Sequence, residues 1–181
     1  MARQTITITL YKSELMYDVQ NKTYLTGRSR QTSGNHEEVA NMQANDDEEN
    51  ANQILRSLGN AFATLKTKLS EYLEESGTTT NDIQMAGTGD ITVSLKVPSN
   101  FNKATNDTIS AALHQYLVNT AIGDWFTITN KNDASDYFAK AAANLEQIRE
   151  AVNKRVRPTR TNPTSAPTNS TSENSGNTGN P

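Results

Sequence analysis

Between positions 51 and 72 the apolar residues Ala51, Leu55, Leu58, Phe62, Leu65, Leu69 and Tyr72 step alternately by four and three. That spacing belongs to one face of an α-helix and to no strand, so this segment must be helical and must bury a long apolar stripe. A coiled-coil seam would use the same register, but in a chain of this length the stripe is expected to pack inside its own core. Asn45-Asp46-Asp47-Glu48-Glu49 precedes it. Asn45 or Asp46 is expected to cap the helix, with the carboxylates set against the positive end of its dipole. A calcium loop would need alternating acids and a Glu at fixed distance, which this run lacks. The helix is expected to end before Gly77.

A helix with one apolar face needs something to pack on. Thr5-Ile6-Thr7-Ile8-Thr9-Leu10 alternates strictly, placing Ile6, Ile8 and Leu10 on one side of a half-buried strand. Ile91, Val93, Leu95 and Val97 alternate in the same way and, with Asp82 to Met85 across Ala86-Gly87-Thr88-Gly89, read as a hairpin. The Gly87-Thr88-Gly89 element leads into a strand, not a helix, so it lacks the dipole that a phosphate loop needs. A short helix from Glu14 to Leu25, capped by Ser13 and closed by Gly27, is expected to turn Leu15, Val19 and Tyr24 inward.

Two helices are predicted beyond Pro98. One runs from Lys103 with Ile109, Leu113, Tyr116, Leu117, Ile122, Trp125 and Phe126, until Thr127-Ile128-Thr129 breaks it. The other starts near Asn132-Asp133 and presents Phe138, Ala141, Leu145, Ile148 and Val152 before Pro158 stops it. A few residues around Asn130 join them, so they should form an antiparallel hairpin with Trp125 in the core. Residues 28–45 show no period and are expected to be a long surface loop carrying Arg28, Arg30, His36, Glu37 and Glu38. The chain thus reads as one α+β domain over 1–157, with three main amphipathic helices on a small antiparallel sheet. Residues 158–181 form an Asn-, Thr-, Ser- and Pro-rich tail expected to be disordered.

Chemistry is sparse in the remaining residues. The chain has no cysteine, which removes disulfides, thiolate nucleophiles and Cys-bound zinc, and its two histidines, His36 and His114, lie far apart in sequence. His114 has Leu117 and Val118 at the positions where a second ligand would stand, and the carboxylate pairs Asp133/Asp136 and Glu37/Glu38 have no apolar pocket to raise a pKa. No catalytic residue, metal or cofactor is expected, and a small hydrolase is the least favoured class. The start has no apolar leader segment and no window is long enough to span a membrane, so the expectation is a soluble protein without membrane partners. Its sequons at Asn21, Asn106 and Asn169 then have no export route.

Charge is the one asymmetric property. Net charge is -3, yet the last helical turn and its exit gather Lys154, Arg155, Arg157 and Arg160. Cations there complement the helix dipole, which accounts for the first two. Arg157 and Arg160 lie at or past the Pro158 stop, where they serve either simple solubility or the docking of a carboxylate or phosphate surface. With Arg28 and Arg30 they form the predicted partner-binding set.

The run Val118-Asn119-Thr120-Ala121-Ile122 through Asp124-Trp125-Phe126, then Asp133-Ala134, Tyr137, Leu145, Ile148 and Arg155-Val156-Arg157-Pro158-Thr159-Arg160, resembles small virion proteins of tailed phages from anaerobic gut bacteria, encoded among capsid, connector and tail genes. The likeness spans roughly residues 105–160, with a weaker echo at Tyr24-Leu25-Thr26-Gly27-Arg28. It implies a non-enzymatic head-tail connector, head-completion or tail-terminator subunit, made in the host cytoplasm and built into the virion. Its implied partners are portal, adaptor or tail proteins and further copies of itself in a ring. The rival expectation is a nucleic-acid-binding module using the basic heel, Arg28 and Arg30. An acidic body without aromatic residues among the cations points to weak nucleic-acid binding at most.

Overall fold

The computed structural model describes residues 3–45, 47–80 and 89–158. Strand β1 (Arg3–Leu10) leads into α1 (Lys12–Ser29), α2 (His36–Met42) and α3 (Glu48–Lys68). Strand β2 (Ile91–Pro98), α4 (Asn106–Thr129) and α5 (Lys131–Val152) follow, with 3-10 turns at Glu75–Gly77 and Lys103–Thr105. The architecture is α+β, helices on a two-stranded antiparallel sheet.

The sheet joins the chain's start to its middle: Arg3 stands opposite Pro98 and Leu10 opposite Ile91. The first arm of the expected hairpin, Asp82 to Met85, and its turn through Thr88 lie outside the described residues. Both edges of β2 are occupied within them. On the side away from β1, Lys96 N–H donates to Tyr72 O at 2.6 Å, Glu74 N–H to Ser94 O at 2.8 Å and Thr79 N–H to Thr92 O at 2.9 Å. Gly77 lies so close to β2 that a Cβ there would stand 2.3 Å from Ser94 Oγ.

The α3 stripe is core, as its register demands: Leu55, Leu58, Phe62, Leu65 and Leu69 are buried, while Ala51 and Tyr72 lie half-buried at its ends. Its N-cap is Asp47, without a side-chain cap bond. Helix α4 is the centre of the molecule. Ile109, Leu113, Leu117, Val118, Ile122 and Phe126 are fully enclosed around its circumference, because α5, α3, α1, α2 and β1 all pack on it, and a helix apolar all round is a buried one. Thr127 and Thr129 do not break it. Their hydroxyls donate to the carbonyls of Gly123 and Trp125 at 2.9 and 3.1 Å, so the helix runs to Thr129 and turns at Asn130 into α5. The α4–α5 hairpin is the most extensive pairing in the molecule.

Further expectations are corrected. Helix α1 starts after Tyr11 with no Ser13 side-chain cap and runs beyond Leu25 to Ser29. Gly27 lies inside it, where α2 passes so near that a Cβ would stand 3.1 Å from Val39 O, and Tyr24 is 42% exposed. The expected loop at 28–45 contains α2, whose Val39 and Met42 are buried together with the following Ala44. Helix α5 turns Ala134 into the core, and Phe138 is 39% exposed. The Phe138 ring rests over Gly123 at the rim, where a Cβ would come within 2.8 Å of it. Its neighbour Tyr137 packs edge-on against Phe126, ring centres 5.4 Å apart. Trp125 is half-buried, packed against the core with its indole N–H donating to Met42 O at 3.0 Å.

Candidate basic groove at the chain exit

From Lys154 to Val156 the chain is tied back to the body. Asn102 N–H donates to Lys154 O at 3.0 Å and Val156 N–H to Asn100 O at 2.8 Å. Arg155 pairs with Phe101 in an isolated bridge, and Phe101 is buried. This pairing fixes the exit against the turn that follows β2, next to the start of β1. A groove of about 380 Å³ opens there, lined among others by Arg3, Glu71, Tyr72, Lys96, Asn153 and Arg155.

The groove mixes cations with neutral donors. Asn153 Nδ2 donates to Tyr72 Oη at 2.9 Å, and Lys96 meets Glu74 at 2.9 Å. The Lys96 hydrogen bond holds the Glu74 carboxyl below its ordinary value of 4.5. Among the described residues, Arg3, Arg155 and Arg157 take part in none of the ion pairs. The guanidinium groups of Arg3 and Arg155, lining the groove beside a phenol and amides, suit a carboxylate or phosphate.

The predicted partner-binding residues divide into two places. Lys154, Arg155 and Arg157 stand at this exit, Lys154 paired with Glu150 at 3.3 Å on an exposed face; Arg160 lies outside the described residues. Arg28 and Arg30 lie at the far end of α1, where Arg28 donates to the Tyr24 hydroxyl at 3.3 Å and Arg30 is paired with Asp133. Asp133 begins α5 and Lys154 follows its end, so the clusters are about 30 Å apart at the helical rise of 1.5 Å per residue. Arg30 is committed internally: its partner Asp133 is buried and also accepts from Asn130 Nδ2 at 2.6 Å.

Sequence reasoning missed Arg3, Tyr72, Lys96 and Asn153. Tyr72 was expected in the apolar stripe of α3, and the other three looked like ordinary exposed positions. The β1–β2 register, with Arg3 opposite Pro98, brings Arg3 to Lys96, while the Lys96 N–H bond to Tyr72 O and the Asn153 bond to Tyr72 Oη bring in the other two.

Other titratable groups are absorbed by packing. His114 Nε2 lies 2.9 Å from Asp18 Oδ2. Lys22 donates to Gln115 Oε1 at 2.6 Å, and its pKa is lowered by burial, with Asp18 opposing and Lys140 adding to the shift. Burial raises Tyr116 and Asp124, the latter opposed by a hydrogen bond with Ser57. Among the described residues there is no group of three or more His, Asp and Glu placed to hold a metal, and no helix long and apolar enough to cross a membrane. No family model, curated protein or solved structure matches the chain.

Proposed function

We propose that this protein is a non-enzymatic structural subunit of a tailed-phage virion, made in the host cytoplasm and built into the head-tail region as a connector, head-completion or tail-terminator subunit. It works by protein–protein assembly, with further copies of itself and with portal, adaptor or tail proteins. The supporting observation is the exit segment: two backbone hydrogen bonds to residues 100 and 102 hold Arg155 at a groove and leave Arg157 exposed beyond it. A cation held on a fixed backbone loses little freedom on docking, so it favours a carboxylate-bearing protein surface. Glu71 and Glu74 beside the groove disfavour the closely spaced phosphates of a nucleic acid.

The test replaces Arg155 and Arg157 together with Ala and measures self-association by sedimentation and negative-stain imaging, beside DNA binding at two salt concentrations. The expected result is ordered oligomers that the double variant weakens. Any DNA affinity should fall ~150-fold between 50 and 200 mM salt, as about four phosphate contacts require. Tight DNA binding at 200 mM salt that the variant loses, with its oligomeric state unchanged, refutes the assembly reading and establishes the nucleic-acid module.

A further inference from the structure

Among the described residues strand β1 is an edge. β2 turns the backbone groups of Thr92, Ser94 and Lys96 toward residues 72–79. By the alternation of antiparallel pairing, Ile91, Val93, Leu95 and Val97 therefore direct theirs at β1. The register then assigns the β2-facing groups of β1 to Gln4, Ile6, Ile8 and Leu10 and leaves those of Thr5, Thr7 and Thr9 directed outward. Among the described residues none hydrogen-bonds to these outward groups. All three threonines are exposed, and Ile6 is only half-buried.

Natural proteins guard such edges with proline, lysine, a bulge or a covering element. From Gln4 to Leu10 there is no charge and no proline, and β1 pairs with β2 without a bulge. Its β-branched threonines favour extended backbone.

We propose that β1 pairs antiparallel with β1 of a second copy of this chain, in the register centred on Thr7. The strand is complementary to itself there. Thr7 meets its own symmetry mate and Thr5 meets Thr9, so outward groups face outward groups. On the core side Ile6 lies opposite Ile8, which extends the apolar face where Ile6 is incompletely covered. The strand's one charge, Arg3, falls opposite Tyr11 of the other copy, a residue 58% exposed, where a cation over an aromatic face is favourable. No like charges meet. The self-pairing centred on Ile6 also matches outward groups, but it sets Arg3 against Thr9 and Gln4 against Ile8, whereas the one centred on Thr7 pairs threonine with threonine and isoleucine with isoleucine, the β-branched cross-strand pairs that stabilise a sheet. The contact is two-fold and closes on itself. It joins copies in pairs, or two rings back to back, and it stands whether or not the groove docks a virion protein.

Pairing one strand buries less than the roughly 1,600 Å² of a standard interface, so a weak dimer is expected. The experiment is sedimentation equilibrium of the full chain up to several hundred micromolar, on wild type and three variants. Thr7→Pro removes an outward N–H and leaves the β1–β2 ladder intact; it should abolish the dimer. Thr5→Lys with Thr9→Lys sets two like-charge pairs opposite and should weaken dimerisation about tenfold, while Thr5→Lys with Thr9→Glu sets opposite charges together and should restore it. A wild type that stays monomeric throughout, or charge variants that dimerise equally, overturns the proposal. Thermal melts identify a variant that fails to fold, and the charge pair decides the matter if Thr7→Pro does.

Discussion

Helix α2 is held by a few ties that substitution can cut singly. Trp125 donates its indole N–H to Met42 O at 3.0 Å, and the buried Thr23 hydroxyl accepts the Ala44 N–H at 3.2 Å while donating to Val19 O at 2.9 Å. Trp125→Phe keeps an aromatic ring and removes the first tie, at a net cost of about 0.5–1.5 kcal/mol for the hydrogen bond. Thr23→Ala leaves a buried N–H without a partner, which costs about 1–3 kcal/mol, so it should be the more damaging. At roughly 2–4 °C per kcal/mol for a chain of this size, melting temperatures should fall by about 1–6 °C and 2–12 °C respectively. The loss should be local. In hydrogen exchange, the amides of Val39 and Gln43, bonded to Asn35 O and Ala40 O, should open faster by about 2- to 12-fold in Trp125→Phe and more in Thr23→Ala, while amides inside α4 follow only the global change. If α2 amides were no more affected than those of α4, or if Trp125→Phe were the worse variant, α2 would not be a strap held by these bonds.

Leu145→Ala should cost about 2–5 kcal/mol in denaturant unfolding, since Leu145 is buried in the α4–α5 hairpin; a loss under 1 kcal/mol would contradict that packing. Gly77→Ala should destabilise by about 1–3 kcal/mol, because its Cβ must push Ser94 and the segment beside β2 apart, and a neutral result in a thermal melt would refute the close approach. The pH profile has two limbs of opposite sign. Glu74, held below 4.5 chiefly by the Lys96 hydrogen bond, contributes stability above 4.5 that is lost as pH falls through its folded value, so Lys96→Met should remove that acid-side loss. Asp124, raised above 3.8 by burial, costs stability as pH rises through its folded value, so Asp124→Asn should gain relative to wild type over that window.

What the sequence disclosed were periods, and what it concealed were partners. The four-three stripe of α3 and the alternation in β1 and β2 are consequences of burial on one face, and they are visible in any window long enough to show them. Helix α2 spans about two turns, too short for a period, and its buried Val39 and Met42 look like isolated apolar residues in a polar run. Phe138 and Tyr137 are neighbours about 100° apart on α5. The helical phase cannot choose between them; the choice is made by Gly123, which admits the Phe138 ring at the rim while Tyr137 meets Phe126. The groove was half legible. Lys154, Arg155 and Arg157 announce themselves as a cluster, whereas Arg3 and Lys96 join them only through strand pairing across most of the chain.

The same limit explains why the two cation clusters, alike in sequence, differ in what they can do. Arg30 is 52% exposed, but its partner Asp133 is only 8% exposed, so removing the guanidinium strands a buried carboxylate. Arg30→Ala should therefore cost about 1–3 kcal/mol of stability even with Asn130 still bonded to Asp133, and a partner cannot recruit Arg30 without that loss. Lys154 and Glu150 are 57% and 75% exposed, and a pair of that kind on a helix contributes only about 0.3–0.5 kcal/mol. A carboxylate arriving at the exit can take Lys154 over at almost no expense to the fold. Glu150→Gln, which frees Lys154 in advance, should then tighten docking about twofold and leave the melting temperature within about 1–2 °C of wild type. If Glu150→Gln had no effect on association while Arg30→Ala abolished it without loss of stability, the working surface would lie at the Arg28–Arg30 end of α5, and the exit groove would be the wrong site.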